Sequence, residues 1–223
     1  MNLKNLIALF RRELCDEHDP YLWETTELVH YLNQAIQEAC ERALLIEDRH
    51  TPEVCGFTAR QGMVTYSLHP CVLKIKRLTV GGRPLTETSV QEMDEQSPGW
   101  ERRTGMPTHF IFEGAQGARP PKVQLVPLPS NDVDVHMTVY RGALRPLRES
   151  CEGEVPDFPL SRIDDLKHWV YRCALLKPDA DSGDQGRAAQ HEQLFTQAFG
   201  EKVDANTARK RRDRRPPIVQ CAW

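Results

Sequence analysis

The hydrophobic period of this chain changes twice, and that change restricts its possible folds more than any single residue does. Over residues 2–15, Leu3, Leu6, Ile7, Phe10 and Leu14 recur at spacings of three and four, which places them on one face of a helix. Over residues 25–48, Leu28, Leu32, Ala35, Ala39 and Ala43 form one stripe with Ile36, Cys40 and Leu44 beside it. The small alanines admit a close neighbouring helix. His50-Thr51-Pro52 ends the pattern, because proline disfavours helical geometry in the residue before it. From 54 to 140 the chain reads instead as short β-type runs punctuated by Gly and Pro. The predicted strands cover 64–68, 72–80, 109–112, 123–126 and 133–140, with a helical turn over 89–94 and a tight hairpin at Gly81-Gly82. Prolines at 120, 121, 127 and 129 favour edge strands and open loops in this half. Helical spacing returns after Pro159, where Ile163, Leu166, Val170, Cys173, Ala174 and Leu176 share a stripe flanked by Trp169 and Tyr171. Lys177-Pro178 closes that helix, and a last one over 186–199 ends at Gly200 as its cap.

Two apolar helical faces at opposite ends of a chain must both be covered, and packing them on one another is the least costly solution. The expected fold class is therefore α+β: a helical bundle from the N- and C-terminal helices, with an inserted antiparallel β module and an extended C-terminal arm. Residues 1–50 and 160–200 would form the two parts of the bundle, 51–159 the inserted module, and 201–223 the basic arm. Trp23, Leu28, Leu32 and Trp169 are the expected structural core of the bundle, since large aromatics dominate small cores.

A chain of 223 residues suffices for one sizeable core, or for a small core carrying a second module. Its 39% hydrophobic and 27% charged residues exclude a fully disordered chain. No run approaches the roughly 18 apolar residues of a membrane span, and residues 1–10 show neither a basic leader nor a small-residue cleavage site. The expectation is a cytoplasmic protein with no membrane attachment. The seven cysteines are odd in number, scattered and without a C-x-x-C pair, so all seven are expected as free thiols in a reducing compartment.

The sequence carries few residues arranged for chemistry. There is no Gly-rich phosphate loop, no G-x-S-x-G, no H-E-x-x-H and no calcium-loop motif. The eight histidines form no H-x-x-x-H pair, and His69 with Cys71 is the nearest approach to a ligand pattern. Asp179, Asp181 and Asp184 could in principle hold a divalent ion, but a solvated capping loop between two helices accounts for the same residues. His168 beside Trp169 could serve as a base, although a lone helical histidine is more often structural. No catalytic residue, metal or cofactor is expected, and the chain is read as not an enzyme.

Charge is uneven. The net formal charge is −3, yet after residue 200 seven Lys/Arg face only three Asp/Glu, so an acidic body bears a basic tail. Arg209, Lys210, Arg211, Arg212, Arg214 and Arg215 would neutralise phosphates without reading sequence, which makes a DNA-binding module the alternative function. Against it, the run has no interleaved aromatics, and the rest of the chain is acidic enough to repel DNA. A solvated flexible end is a further reading of the same residues.

Several motifs in order then resemble one family. Tyr21-Leu22-Trp23 precedes a helix with Glu27-Leu28, Tyr31-Leu32-Asn33, Ala35, Glu38-Ala39 and Arg42-Ala43. Downstream come Thr51-Pro52, Tyr66-x-Leu68-x-Pro70, Pro98-Gly99-Trp100 with Thr104-Gly105-x-Pro107, and Leu125-x-Pro127-x-Pro129. Val139-Tyr140-Arg141, Trp169-Val170-Tyr171-Arg172, Leu176-Lys177-Pro178-Asp179 and Ala198-Phe199-Gly200 complete the series. Together they resemble the phage adaptor proteins of the podovirus and siphovirus head-to-tail connector type, over nearly the whole of residues 3–200. The resemblance implies a homo-oligomeric, dodecameric ring in the virion neck, assembled in the host cytoplasm. It also implies three partners: the portal protein, the next tail component (nozzle or tail tube), and genomic DNA that passes through the channel without sequence-specific binding. A C-terminal arm would reach the portal, its basic run meeting carboxylates while Ile218, Val219 and Trp223 anchor it in apolar pockets. Two departures are visible. Glu24-Thr25 stands where the family has a Ser-Asp cap, and residues 152–160 lack the usual His-containing turn.

Overall fold

The computed structural model describes residues 1–151, 153–177 and 184–202. In chain order the elements are α1 (Leu3–Glu13), α2 (Thr25–Ala43), β1 (Ile46–Asp48), α3 (Pro52–Cys55), β2 (Gly56–Ala59), β3 (Thr65–Ser67), β4 (Val72–Val80), β5 (Arg83–Pro84) and β6 (Thr86–Glu87). They continue as α4 (Val90–Gln96), a 3-10 turn (Trp100–Arg102), β7 (Thr104–Gly105), β8 (His109–Glu113), β9 (Lys122–Val126), β10 (Leu128–Pro129) and β11 (Val133–Arg141). A 3-10 helix (Leu160–Leu166), α5 (Lys167–Leu175) and α6 (Gln185–Phe199) follow.

The chain divides into two compact units, one of residues 1–47 with 140–201, the other containing 48–139. In the first, Leu3, Leu6, Ile7 and Phe10 of α1 are buried, as their spacing predicts. Asn2 caps the helix by accepting the Asn5 N–H at 3.0 Å. At the other end, Cys15 N–H donates to the Arg12 carbonyl and Asp16 N–H to the Arg11 carbonyl, the double bond of a Schellman stop. Cys15 thereby occupies the left-handed position with φ of 58°, where glycine is the favoured residue. Its side chain is exposed, so nothing is packed against it that glycine would lose. Cys15→Gly is expected to stabilise the protein by about 0.5–1 kcal/mol, the relief of the left-handed strain exceeding glycine's extra chain entropy. Thermal unfolding should then show a midpoint raised by about 2 °C.

Helix α2 buries Leu28, Leu32, Ala35, Ile36, Ala39 and Cys40 on one face. It begins at Thr25, and Glu27 reaches back to accept the Glu24 N–H at 2.9 Å, half of a capping box that replaces the Ser-Asp pair. Burial, with the negative charge of Asp157 adding to it, pushes the Cys40 thiol up to about 12, so it packs as an apolar group. The chain returning over 142–159 is tied to this unit at three points. Asn33 exchanges two hydrogen bonds with the Leu147 backbone (2.9 and 3.0 Å), Asp157 pairs with Arg141 at 2.6 Å, and the Leu3 N–H donates to the Glu154 carbonyl at 2.8 Å.

The strands form three sheets, most of whose residues lie in the second unit. One has the order β1-β11-β4-β5 with β2 also on β11, the second is β3-β9-β8-β6, and the third is the pair β10-β7. Val80 faces Arg83 across a two-residue hairpin in which Gly81 and Gly82 both have positive φ (55° and 80°), the primed turn that the sequence signalled. Tyr66, Val72, Leu78, Phe110, Leu125 and Val139 belong to the main core of this unit. A satellite core gathers Met93, Trp100, Ile111 and Val126, and the Trp100 indole N–H is satisfied by Asp94 at 2.8 Å.

The expected architecture, a helical bundle with an inserted antiparallel β module, is corrected here. The fold is mixed: six α-helices among the described residues and several sheets, with strands dominating the middle of the chain. Both β6-β8 and β10-β7 pair in parallel, and α3, α4 and a 3-10 turn are threaded among the strands. The physical reason is that alternation reveals a strand but not the direction of its partner, and strands of two residues or helices of four leave no period to read. Of the extended arm expected over 201–223, residues 203–223 lie outside the described residues.

Candidate functional site

The residues expected to build the core converge in the first unit. Leu28 and Leu32 are fully buried, and Trp23 is 4% exposed, its indole N–H donating to the Ala174 carbonyl of α5 at 3.1 Å. Lys177, just past α5, donates to the Leu22 carbonyl (3.1 Å) and to Glu27 (2.9 Å), closing the same corner. Burial by itself would raise the Glu27 carboxyl, but the Lys177 hydrogen bond, the Glu24 backbone and the Lys177 charge together hold it below its usual value. Trp169 is only half-buried. Its ring packs against Phe195 of α6 (5.0 Å between centroids), and the guanidinium of Arg172 lies 4.7 Å from its centre.

Two buried arginines that periodicity does not reveal organise this unit. Arg42 at the end of α2 pairs with Glu38 (2.9 Å), donates to the Thr196 hydroxyl and the Gly200 carbonyl (both 3.2 Å), and faces the rings of Trp169 and Phe195. It thereby joins α2 to the start of α5 and the end of α6. Arg11 at the end of α1 pairs with Asp16 at 2.8 Å, donates to Thr25 at 3.0 Å and lies over the Tyr21 ring at 3.7 Å. Arginine in a last helical turn reads from sequence as solvated, so neither network carries a local signal.

The residues considered for chemistry do not converge. Asp184 caps α6 by accepting the Arg187 N–H at 2.9 Å, and Asp179 and Asp181 lie outside the described residues. Asp165 pairs with Arg162 at 3.2 Å, and Asp164 points to solvent. His69 Nδ1 lies 3.0 Å from the Cys71 sulfur. No group of three or more His, Cys, Asp or Glu placed to hold a metal ion occurs among the described residues. His168 meets His191 of α6, Nδ1 to Nδ1, at 3.1 Å. The six described cysteines are free thiols, and Cys221 lies outside the described residues. No described helix is long and apolar enough to cross a membrane. An open depression of about 530 Å³ beside α6 is lined by Glu192, Gln193, Thr196, Gln197, Gly200 and Glu201, which offer no nucleophile and base in contact. The arm residues Arg209, Lys210, Arg211, Arg212, Arg214, Arg215, Ile218, Val219 and Trp223 all lie outside the described residues.

What these features define is a scaffold with well-anchored helices, and its class is that of a phage structural adaptor: the profile of a head-to-tail adaptor family runs through residues 1–220. The chain belongs to the SU10 adaptor protein family. Membership makes it a virion component that works through other phage structural proteins. Among curated proteins, none matches the chain.

Proposed function

We propose that the chain is one subunit of a homo-oligomeric, dodecameric ring between the portal and the next tail component, with a central channel through which DNA passes, and that it is not an enzyme. The observation that carries the reading is the family match, which spans residues 1–220 and so includes most of the basic tail as well as both compact units. The charge distribution supports it. A channel must let DNA slide, and an acidic body does not trap phosphates by counterion release as cationic walls would. The tail fits a docking arm: its basic run is too polar to fold by burial alone and needs a partner's carboxylates. Pro216-Pro217 favours an extended course, and Ile218, Val219 and Trp223 supply apolar anchors.

A chain ending at Lys202 is expected to keep the thermal stability of the full chain and to lose at least about tenfold in affinity for purified portal rings, the loss of one good anchor. The full chain carrying Trp223→Ala should lose part of that affinity. Unchanged portal binding by both, together with salt-dependent binding of duplex DNA by the full chain alone, would move the function to the DNA-binding alternative.

A further inference from the structure

The contact between His168 on α5 and His191 on α6 has a specific chemistry. With the two Nδ1 atoms 3.1 Å apart, one ring must donate its N–H and the other must accept with a lone pair. At least one imidazole is therefore neutral, and when both are neutral their tautomers are opposite. Full protonation would turn both nitrogens into donors facing one another and set two positive charges on rings whose centres are 5.4 Å apart.

The surroundings offer little compensation for such charge. From α5, Lys167 lies near both rings, and from α6, Arg187 lies near His191; Arg172 of α5 and Glu192 of α6 are bonded to each other at 3.0 Å. From α1, Glu13 lies near both imidazoles but is held by Lys167 at 3.2 Å. Asp165 of the 3-10 helix lies near His168 and is paired with Arg162 at 3.2 Å. The buried Tyr171 ring stands edge-on to His191 at 5.3 Å. No third His, Cys, Asp or Glu completes a metal set with the pair among the described residues, so the ligand that the geometry reads is the proton.

We propose that the His168–His191 contact is a proton-operated latch, holding α6 on α5 when neutral and loosening it when both rings are charged. Burial, and then the neighbouring Lys167, hold His168 below the ordinary histidine value of 6.5; burial, and then His168, Arg187 and Lys167, do the same for His191. A depressed histidine leaves the unfolded chain binding more protons, so the contribution is intact above about 6.5 and is lost as pH falls from there toward the folded values. Glu27, held below the ordinary glutamate value of 4.5, acts in a lower range and does not confuse the readout. Because α6 runs directly into residues 201–223, the latch governs whether that tail leaves from a seated helix.

The test uses the full chain. Histidine ring resonances followed by NMR titration should place both imidazoles below the value of a free histidine, and amides of α6 should open faster than those of α2 as pH is lowered from about 7 to about 5, after correction for intrinsic exchange. The wild type should lose thermal stability over the same interval, and His168→Gln/His191→Gln, which keeps polar contact without a titrating charge, should lose markedly less. Ordinary or raised titration of the two rings, or equal loss in wild type and double variant, would overturn the latch. If the double variant does not fold, the wild-type titration alone decides.

Discussion

Asp16→Ala is expected to cost about 3–5 kcal/mol of stability, the scale for breaking a buried ion pair from one side. The side chains of Arg11 and Asp16 are 9% and 6% exposed. Besides Arg11, the Asp16 carboxylate accepts the backbone N–H groups of Leu22 (2.8 Å) and Trp23 (3.3 Å). Alanine therefore strands a nearly buried guanidinium and two backbone donors at once, at the turn that aims α1 and α2. Seating of Trp23, whose indole reaches Ala174, depends on the same turn. Urea unfolding should show the full loss for Asp16→Ala. The double variant Arg11→Leu/Asp16→Ala should recover part of it, because removing both charges relieves the desolvation left by removing one. A loss below about 1 kcal/mol for the single variant would mean that solvent replaces the carboxylate, as at an exposed pair.

Phe195→Ala should have an effect of similar size, about 3–5 kcal/mol, through the cavity it leaves. Phe195 is fully buried on α6, 5.0 Å from the Trp169 ring and 4.6 Å from Phe199, with the Arg42 guanidinium 5.1 Å from its centre. Only Ala188 and Phe199 accompany it among the fully covered residues of that helix, so the seating of α6 rests largely on this one ring. Phe195→Leu fills most of the space and should cost less than about 1.5–2 kcal/mol. Denaturant midpoints of the two variants, with hydrogen exchange across α6, separate loss of the ring from loss of the helix. Equal midpoints would place the anchoring of α6 elsewhere.

How much could be read before folding varies with the length of the element. The stripe Leu3, Leu6, Ile7, Phe10 and the stripe Leu28, Leu32, Ala35, Ala39 define α1 and α2 within two or three residues of their predicted N-terminal limits, because each helix buries a single face repeatedly. The Val72–Val80 strand and its Gly81-Gly82 turn were legible for the same reason, since the glycines meet a steric demand of one turn type. The predicted helix over 25–48 ran past Ala43, where the chain in fact turns at Leu44 in a left-handed conformation and enters β1. Nothing apolar in Ile46-Glu47-Asp48 distinguishes a three-residue strand from a helix end.

Local periodicity and turn chemistry thus determined where the long helices and strands lie, that the middle of the chain is rich in strands, and that the charge is divided between an acidic body and a basic tail. The motif order determined the family. Tertiary structure alone decided the parallel pairing of β6 with β8 and of β7 with β10, the burial of Arg11 and Arg42, the exchange of hydrogen bonds between Asn33 and Leu147, and the meeting of His168 with His191. These features join residues far apart in the chain, or charged groups whose burial is offset only by partners on another element. A sequence records the period of each element, which is a property of neighbours three or four positions away. Which partner satisfies a buried charge or a strand edge is set by long-range packing, and no local pattern encodes it.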